Sequence, residues 1–306
     1  LRSSELAPLL DEEAAAWRET LDWDFTASAE LVQRFVEQRA LHGFALLDPN
    51  GGVVGYSYFV QDEHKGLIGD LYVRRAWRTV ENERRLLSSV VEALIRAPFL
   101  TRIETQLMML GPGHDRHMPG ARFLSVYDRN FMRADLSSVQ MLNPTSPRGS
   151  AVYQQWEERY QEAAAQLIPD AYAGHIDSRI NDQYDTVPGS RRFLYNVVQY
   201  PGCGNFCRAA SYAALDRSTC NLRGISLASR IAPNVGHITQ ICVSKQHRGT
   251  GIGYELLRHS LRALREAGCR AATLTVTASN RDAIRLYEQV GFRTIRTFSA
   301  FVWDGF

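Results

Sequence analysis

The segment Gln246–Gly253 (QHRGTGIG) places three glycines after an apolar run, Ile238–Val243, and before an amphipathic run, Tyr254–Ala267. This order predicts a strand, a glycine-rich turn and the start of a helix. Glycines let the backbone turn tightly and approach a ligand, and a helix start offers unpaired N–H groups and a positive dipole. The segment therefore predicts a pyrophosphate site. An ordinary strand-to-helix turn is the alternative.

A second motif, Asn280–Phe292 (NRDAIRLYEQVGF), follows a β-rich run, Ala272–Thr277. The two motifs together, in this order and spacing, resemble the GNAT superfamily of acyl-CoA-dependent N-acyltransferases. The resemblance is strong over Gly236–Phe298 and extends before that range only as a pattern of elements. It implies an acyl-CoA as donor, and we expect acetyl-CoA.

The resemblance also implies residue roles. Tyr287 matches the tyrosine that acts as general acid for the CoA thiolate, although helical spacing places it on one face with Ala283, where it could instead be core. Asn280 is a natural N-cap, and the matching asparagine of the family touches the pantetheine or a neighbouring backbone. His237 stands where the family often has its general base, and a histidine suits that task at neutral pH. Glu255 or a chain of water molecules is the alternative base.

The thioester carbonyl needs a hydrogen-bond donor, which in this fold comes from a backbone amide on the strand before the loop. By position this is Cys242 or Val243, and we do not expect the Cys242 thiol to be a nucleophile. The loop amides should hold the pyrophosphate, with Arg248 as an aid and Gln246 shaping the loop. The expected cofactor-binding residues are Cys242, Val243, Gln246, His247, Arg248, Gly249, Thr250, Gly251, Ile252, Gly253 and Asn280.

The acceptor side is expected in the segment Tyr172–Asp185, because the first two helices of a GNAT fold line the acceptor pocket. Its carboxylates, aromatic rings and amides can hold a cationic amine, and a polar surface loop is the alternative. The expected substrate residues are His175, Asp177, Asn181, Asp182 and Tyr184. We expect a small-molecule amine as acceptor, since a tandem domain can cover the cleft that a peptide needs open. A protein or peptide acceptor, or a non-catalytic acyl-CoA sensor, are the alternatives.

The chain also predicts two halves of similar build. A stretch rich in Pro, Ser and Asn at 141–150 is typical of a linker, so we expect domains at 1–140 and 151–306. Leu67–Val73 can be laid on His237–Val243, about 170 residues further on, which indicates an internal repeat of a whole domain. The tandem architecture is similar to that of mycothiol synthase.

Continuing this overlay shows that the first half lacks both motifs. Ala76 stands in place of Gln246, Thr79 in place of Gly249, and Glu81 in place of Gly251. Bulk and negative charge make a threonine and a glutamate poor hosts for a pyrophosphate. The run Gly111–His117 (GPGHDRH) lies near the place where the second motif would be. We therefore expect the N-terminal domain to be a degenerate GNAT-like copy without a CoA site.

The expected fold class is α/β, in layers: two tandem GNAT-like domains, each a mixed, mostly antiparallel sheet flanked by helices. The helices are expected at 5–21, 29–41, 81–96, 156–173, 190–199, 251–267 and 281–290. The strands are expected at 43–47, 52–60, 67–73, 102–108, 122–127, 131–136, 208–215, 223–231, 237–243 and 270–277, with a last β region through Val302.

Composition narrows the class further. The 306 residues are 45% hydrophobic and 22% charged, with a formal net charge of +2, which gives no hint of a nucleic-acid or membrane-surface partner. No apolar run approaches the roughly 20 residues of a membrane span, and the N-terminus has no signal-peptide pattern. Five cysteines do not describe a disulfide framework, and Cys203 and Cys207 have no matching pair for a metal. We expect a cytoplasmic enzyme without a metal, as a monomer or homodimer.

Overall fold

The computed structural model describes residues 2–111, 118–145, 151–200 and 202–306. The chain forms two compact units. One contains residues 1–129 together with 297–306, and the other contains residues 130–296. In the described part of the chain, no helix has the length and apolar character needed to cross a bilayer.

The first unit opens with two helices and then builds a small sheet. Its elements are α1 (Ser3–Leu21), α2 (Thr26–Glu37), β1 (His42–Leu47), β2 (Val53–Asp62), β3 (Lys65–Val73), α3 (Val80–Ile95) and β4 (Arg102–Gln106). The last strand of the chain, β12 (Arg293–Asp304), belongs to this unit from Thr297 onward. The strand order is β1-β2-β3-β4-β12, in which only the β3–β4 pair is parallel.

The second unit repeats this plan with more strands. Its elements are β5 (Leu124–Asp135, from Asn130 onward), β6 (Ala151–Gln155), α4 (Gln161–Tyr172), α5 (Ile176–Ile180), α6 (Val187–Gln199), β7 (Asn205–Phe206), β8 (Tyr212–Asp216), β9 (Leu222–Ala232), β10 (Val235–Val243), α7 (Ile252–Glu266), β11 (Ala271–Thr277) and α8 (Arg281–Gln289). The strand order is β5-β11-β10-β9-β8-β6, with β7 also on β9. The β10–β11 pair is parallel, whereas β10–β9, β9–β8 and β8–β6 are antiparallel. The expected mixed, mostly antiparallel architecture flanked by helices is confirmed.

One buried core of the second unit lies between the sheet and α7. Leu257, Leu261 and Leu264 are 0% exposed and pack with Ile238 and Leu274 from the parallel strand pair. Burying each such leucine contributes roughly 1.5–3 kcal/mol. Because β10 and α7 flank the glycine-rich loop in sequence, this packing also holds both ends of that loop.

The two units share details of backbone geometry as well as element order. β3 pairs with β4 in parallel only over Lys65–Ile68, and β10 pairs with β11 only over Val235–Ile238. Each of β3 and β10 then shifts register against its antiparallel neighbour, skipping Gly69 in one unit and Thr239 in the other. These matching bulges agree with the predicted repeat of a whole domain.

Several elements differ from the expected bounds. The predicted helix at 156–173 begins as α4 only at Gln161, because the Trp156 amide first donates to the carbonyl of Ser211, the residue before β8 (2.8 Å). The two strands expected at 122–127 and 131–136 form the single strand β5. The last five residues of the expected linker at 141–150 lie outside the described residues, and so does His114–His117. The strand β6 begins directly after the linker and pairs with β8.

The boundaries of the two compact units, at 129/130 and 296/297, also differ from the linker expected at 141–150. Thr297–Phe306 counts with the first unit because Ala300–Asp304 pairs with β4. β5 counts with the second unit from Asn130 onward. Strand pairing over long sequence separations causes this exchange, and a linear reading of composition does not reveal it.

The first unit buries two carboxyl groups beside each other. Glu13 on α1 is 0% exposed and Asp70 on β3 is 6% exposed. Tyr56 donates to Glu13 (2.7 Å), Trp17 also donates to it (3.3 Å), and the Leu71 amide donates to Asp70 (2.7 Å). Burial raises the pKa of Asp70 to about 6 and, together with the Asp70 charge, raises the pKa of Glu13 well above its ordinary value. The pair therefore retains a proton at pH values where an exposed carboxyl has lost it.

This pair should make the chain less stable as the pH rises. Both folded-state pKa values exceed those of the unfolded chain, so the contribution is fully present below pH of about 4. It is lost as the pH rises through the folded-state pKa, which for Asp70 is about 6. We expect the free energy of unfolding, measured with urea, to fall by up to about 1.4 kcal/mol per pH unit for each extra proton. Asp70→Asn should weaken this decline, and Asp11→Asn, an exposed change on the same helix, should not; equal slopes in all three proteins would contradict the assignment.

Candidate active site

The cleft of the second unit arises where two strands separate. β10 and β11 are paired only over Val235–Ile238 and Ala271–Leu274, yet β10 runs on to Val243 and β11 to Thr277. The bulge at Thr239 marks the point where β10 leaves the parallel ladder while remaining paired to β9. The carboxyl-terminal parts of β10 and β11 therefore present main-chain groups to the space between them.

The register on β9 shows which amides of β10 face this space. The Ser244 amide donates to the Arg223 carbonyl (2.9 Å), and Cys242 lies opposite Ile225 in the same ladder. Because hydrogen-bonded residues alternate along an antiparallel pair, the Cys242 amide points to β9 and the Val243 amide points to the β11 side. Of the two predicted carbonyl donors, only Val243 has the required direction.

The Cys242 side chain is also placed away from reaction chemistry. It is 8% exposed and packs in the core beneath α4, with Ile225 and Ile168. Burial raises the pKa of its thiol to about 12, so the sulfur stays protonated at neutral pH. This placement agrees with the expectation that Cys242 is not a nucleophile.

The glycine-rich loop has the backbone that an anion site requires. Gly249 and Gly251 have φ values of 71° and 89°, a region that side chains disfavour. Gly251 is the N-cap of α7, and no side chain of the described residues caps the helix. The amides of Ile252 and Gly253, in the first turn, therefore point out of the helix without intrahelical partners. Such amides, together with the helix dipole, are groups to which an anion can bind.

Side chains in the loop hold its shape. Arg248 donates to the Ala171 carbonyl, at the end of α4, and the Ser244 hydroxyl lies 2.7 Å from His247 Nδ1. The Thr250 hydroxyl donates to the His247 carbonyl (2.6 Å). Gln246 is exposed. The guanidinium of Arg248 thus ties the loop to α4, and its predicted part in phosphate binding stays a prediction.

Two predicted site residues, Asn280 and Tyr287, lie at the start of helix α8 and within it. Asn280 caps it by accepting the Ala283 amide (3.3 Å), as the sequence predicted. Tyr287 is 7% exposed and packs edge-on against Phe292, with 6.0 Å between the ring centroids. The ring is therefore part of the core. Arg281 is exposed, as expected for a solvated charge.

Two of the predicted substrate residues lie beside Asn280. His175 Nδ1 accepts the Asp177 amide (3.2 Å) and so caps α5, and His175 Nε2 lies 3.2 Å from Asn280 Nδ2. The Thr277 hydroxyl donates to the Asp177 carboxylate, which lies 3.8 Å from His175. The side chains of His175 and Asp177 are 22% and 15% exposed, so they remain accessible from solvent.

The remaining predicted substrate residues follow in the next turn. Asn181 accepts the Gln183 amide (3.1 Å), and this bond shapes a short 3-10 turn that contains Asp182. Tyr184 stacks on Tyr172 with 4.6 Å between the ring centroids. Among the five predicted substrate residues, His175 contacts Asn280 and Asp177 contacts Thr277. Tyr184 stacks on Tyr172, and Asn181 stabilises the 3-10 turn.

The predicted base is in a different environment from the one expected. His237 is 6% exposed, and its Nδ1 lies 2.8 Å from the Thr273 hydroxyl, which itself donates to the Gly236 carbonyl (3.2 Å). The Thr273 oxygen therefore accepts from Nδ1–H. Burial lowers the pKa of His237 to about 4. At neutral pH the ring is neutral and a weak proton acceptor, so its surroundings do not favour the predicted role.

The alternative base, Glu255, is also occupied. It is 3% exposed, pairs with Arg258 (2.7 Å) and accepts the Thr145 amide and hydroxyl. Burial acts to raise the pKa of Glu255, but the hydrogen bonds from Arg258 and Thr145 outweigh it, and the pKa is lowered. A paired carboxylate with a lowered pKa is a poor base. These contacts disfavour His237 and Glu255 as the base, and a chain of water molecules is the remaining predicted route for the proton of the amine.

One buried polar residue of the cleft was not among the predicted site residues. Gln240 directly follows the bulge, is 5% exposed, donates to the Tyr172 hydroxyl (3.2 Å) and accepts from Tyr184 (3.5 Å). A glutamine inside an apolar strand, aligned with Asp70 in the repeat, was the available signal. Among the described residues there is no group of three His, Cys, Asp or Glu that could hold a metal ion.

Comparison with known proteins agrees with this geometry. Residues 167–292 match the acetyltransferase (GNAT) family. An N-alpha-acetyltransferase MAK3 of Arabidopsis thaliana is 40% identical over 57 residues, which span 19% of this chain and 30% of that protein. The chain thus matches less than half the length of this curated relative.

Solved structures extend the likeness to the whole fold. A GCN5-related N-acetyltransferase from Sphaerobacter thermophilus superposes with a TM-score of 0.69 at 17% identity, over 99% of this chain and 94% of that one. A tandem GNAT protein from the clavulanic acid biosynthesis pathway gives a TM-score of 0.56 at 18% identity, over 85% and 81% of the two chains. The particular likeness to mycothiol synthase stays a prediction. Residues 167–292 are therefore similar to the GNAT family of acetyltransferases, and the fold is one that a tandem GNAT protein shares.

Proposed function

We propose that the chain is an N-acetyltransferase that moves an acetyl group from acetyl-CoA to a primary amine by direct attack. The observation that carries this proposal is the uncapped N-terminus of α7, with Gly249 and Gly251 before it, at the end of the strand that separates from β11. An anion site and a separated strand pair suit a long donor with a phosphate end. The family match over residues 167–292 supports the same donor.

The residues present fit the donor at three points. The amides from His247 to Gly253 would hold the pyrophosphate, and the Val243 amide, which points to the β11 side, would hydrogen-bond the carbonyl of the acyl group. Asn280, at the start of α8, would contact the pantetheine. When bound, acetyl-CoA supplies an activated acetyl thioester. Cys242, whose amide is used in the β9 ladder, contributes packing rather than a hydrogen bond.

The chemistry of the proposal needs two proton movements. Tyr287, on the core face of α8, supplies a proton from its hydroxyl to the leaving thiolate. The amine loses its proton through water, because His237 is held neutral by burial and Glu255 is paired with Arg258. His175 and Asp177, partly exposed beside Asn280, would contact the incoming amine, with Asn181, Asp182 and Tyr184 along the same side.

Two acceptor classes remain as proposals. A small-molecule amine was the expectation from the tandem architecture, and a peptide α-amine is favoured by the name of the Arabidopsis relative. Release of the CoA thiol in the presence of amino acids, polyamines, aminoglycosides or short peptides distinguishes them. Binding of acetyl-CoA without thiol release in any mixture would favour the sensor alternative.

The first unit is proposed to be a copy that does not bind the donor. At the place of the loop, Thr79 caps α3 by accepting the Asn82 amide (3.1 Å), so one of the free amides is already used. Glu81 and Glu83 lie in the first turn, and Glu83 is tied to Arg78 (2.8 Å). Negative charge at a helix N-terminus repels a phosphate.

The donor site is tested by Gly251→Glu. We expect it to lower the affinity for acetyl-CoA, measured by calorimetry, by about tenfold or more, because it adds strain and negative charge at the N-cap of α7. Wild-type protein should bind one acetyl-CoA per chain. Gly268→Glu is the matched control, since Gly268 also has a positive φ (91°) but lies at the other end of the same helix. Unchanged affinity in Gly251→Glu, or equal losses in both variants, would refute the assignment.

The role of Tyr287 is tested by removing its hydroxyl alone. Tyr287→Phe should lower kcat by about 100-fold, the usual contribution of a general acid, while the Kd for acetyl-CoA stays nearly the same. Tyr195→Phe removes an exposed phenol on α6, where Tyr195 is 50% exposed, and should change neither quantity. A parallel loss of turnover and donor binding in Tyr287→Phe would show a packing role instead.

His237 gives a test of the proton route. We expect His237→Gln to keep kcat/KM within about threefold of the wild-type value, with an overlapping pH profile, since a neutral buried histidine contributes little as a base. The Kd for acetyl-CoA and the melting temperature serve as controls for folding. A loss of about 100-fold or more in kcat/KM with both controls unchanged would restore His237 as the base.

A further inference from the structure

The two units differ in chemistry at one equivalent strand position. In each unit a single residue is skipped at a bulge, and the residue that follows is buried: Asp70 in β3 is 6% exposed and Gln240 in β10 is 5% exposed. This position lies where the parallel strand pair has just separated. It is a carboxyl in the first unit and a neutral amide in the second.

The partners of the two side chains differ accordingly. Asp70 lies against the Glu13 carboxyl, and the two share a hydrogen bond. Gln240 lies instead between two phenols, donating from Nε2 to the Tyr172 hydroxyl at 3.2 Å and accepting at Oε1 from Tyr184 at 3.5 Å. The longer bond is the weaker one, so Tyr172 is the principal partner.

This arrangement sets the direction of the hydroxyl protons. A primary amide has one donating and one accepting end, and a phenol can donate one proton while accepting another. Because the Tyr172 oxygen accepts from Gln240, its own proton is directed elsewhere. Tyr184, in contrast, turns its proton toward Gln240.

Tyr172 in turn connects to the acceptor side of the cleft. Its ring stacks on Tyr184 and meets the His175 ring edge-on, with 5.4 Å between the centroids. His175 Nε2 lies 3.2 Å from Asn280 Nδ2. A chain of contacts therefore runs from the bulge of β10 through Tyr172 to His175, one of the residues placed beside the incoming amine.

We propose that Gln240 is a positioning residue for the acceptor: by holding the Tyr172 hydroxyl, it sets the position of the aromatic pair and of His175 against which the amine is bound. This assignment rests on the proposed N-acetyltransferase function and deepens it. Because the amide of Gln240 does not ionise, the contact is the same at every pH at which the unit is folded. A carboxyl at this position would lack that property, since Asp70 at the equivalent place has a pKa of about 6.

The first test compares substrate parameters in Gln240→Met and Tyr172→Phe. Each should raise the KM for the amine by about tenfold while the Kd for acetyl-CoA, from calorimetry, stays within about twofold. The double variant should show no further increase, because both changes remove the same hydrogen bond. Gln154→Met is the matched control: Gln154 accepts from Tyr160 in the same unit, on the edge strand β6, so its loss should change neither quantity.

The second test uses Gln240→Glu, which keeps the size of the side chain. A protonated carboxyl can still donate to Tyr172 and accept from Tyr184, but an ionised one cannot donate. The KM for the amine, relative to that of wild-type protein at each pH, should therefore be near unity at pH 5 and rise toward pH 8. Gln240→Met should show a ratio independent of pH.

The outcomes separate this assignment from the function on which it rests. If wild-type protein releases thiol with an amine, but Gln240→Met changes amine KM and acetyl-CoA Kd by the same factor, the positioning role is overturned. A flat ratio in Gln240→Glu overturns it as well. If wild-type protein releases no thiol with any amine, the proposed function fails, and the assignment fails with it.

Discussion

The arrangement of the candidate active site depends on where the hydrogen bonds between β10 and β11 end. Their parallel ladder stops at the Ile238–Leu274 pair, and the bulge at Thr239 lets β10 continue along β9. A closed ladder would use the main-chain groups of both strands and leave no cleft. The separation directs the Val243 amide into the open space, places Gln240 under Tyr172, and leads the chain into the glycine-rich loop. The site is therefore a consequence of one interrupted strand pair.

The first unit has the same backbone arrangement with different side chains. β3 and β4 separate at the same place, and Gly69 forms the same bulge. Thr79, however, caps α3, and Glu81 and Glu83 occupy the turn in which an anion would need free amides. The buried pair of Glu13 and Asp70 fills the position at which the second unit has a neutral hydrogen-bonding residue. Side-chain chemistry on a shared scaffold thus distinguishes the two units.

Burial decides which polar groups of the second unit can react. His237 and Cys242 are enclosed, which lowers the pKa of the imidazole and raises that of the thiol, so both stay neutral at neutral pH. Glu255 keeps its charge but only in contact with Arg258. His175 and Asp177 retain exposed surface beside Asn280. Of these groups, the two that keep exposed surface lie near the ends of strands and helices, where the backbone leaves the core.

The sequence by itself determined the parts that depend on neighbouring residues. The glycine-rich loop, the N-cap at Asn280, the order of helices and strands around them, and the repeat of the strand at Leu67–Val73 all follow from local spacing and composition. Tertiary structure alone decided the features that depend on distant residues: the transfer of Thr297–Phe306 to the first unit, the burial of His237, and the hydrogen bonds of Gln240 to Tyr172 and Tyr184. Local patterns constrain backbone conformation, whereas burial and pairing are set by residues far apart in the chain, which no local pattern specifies.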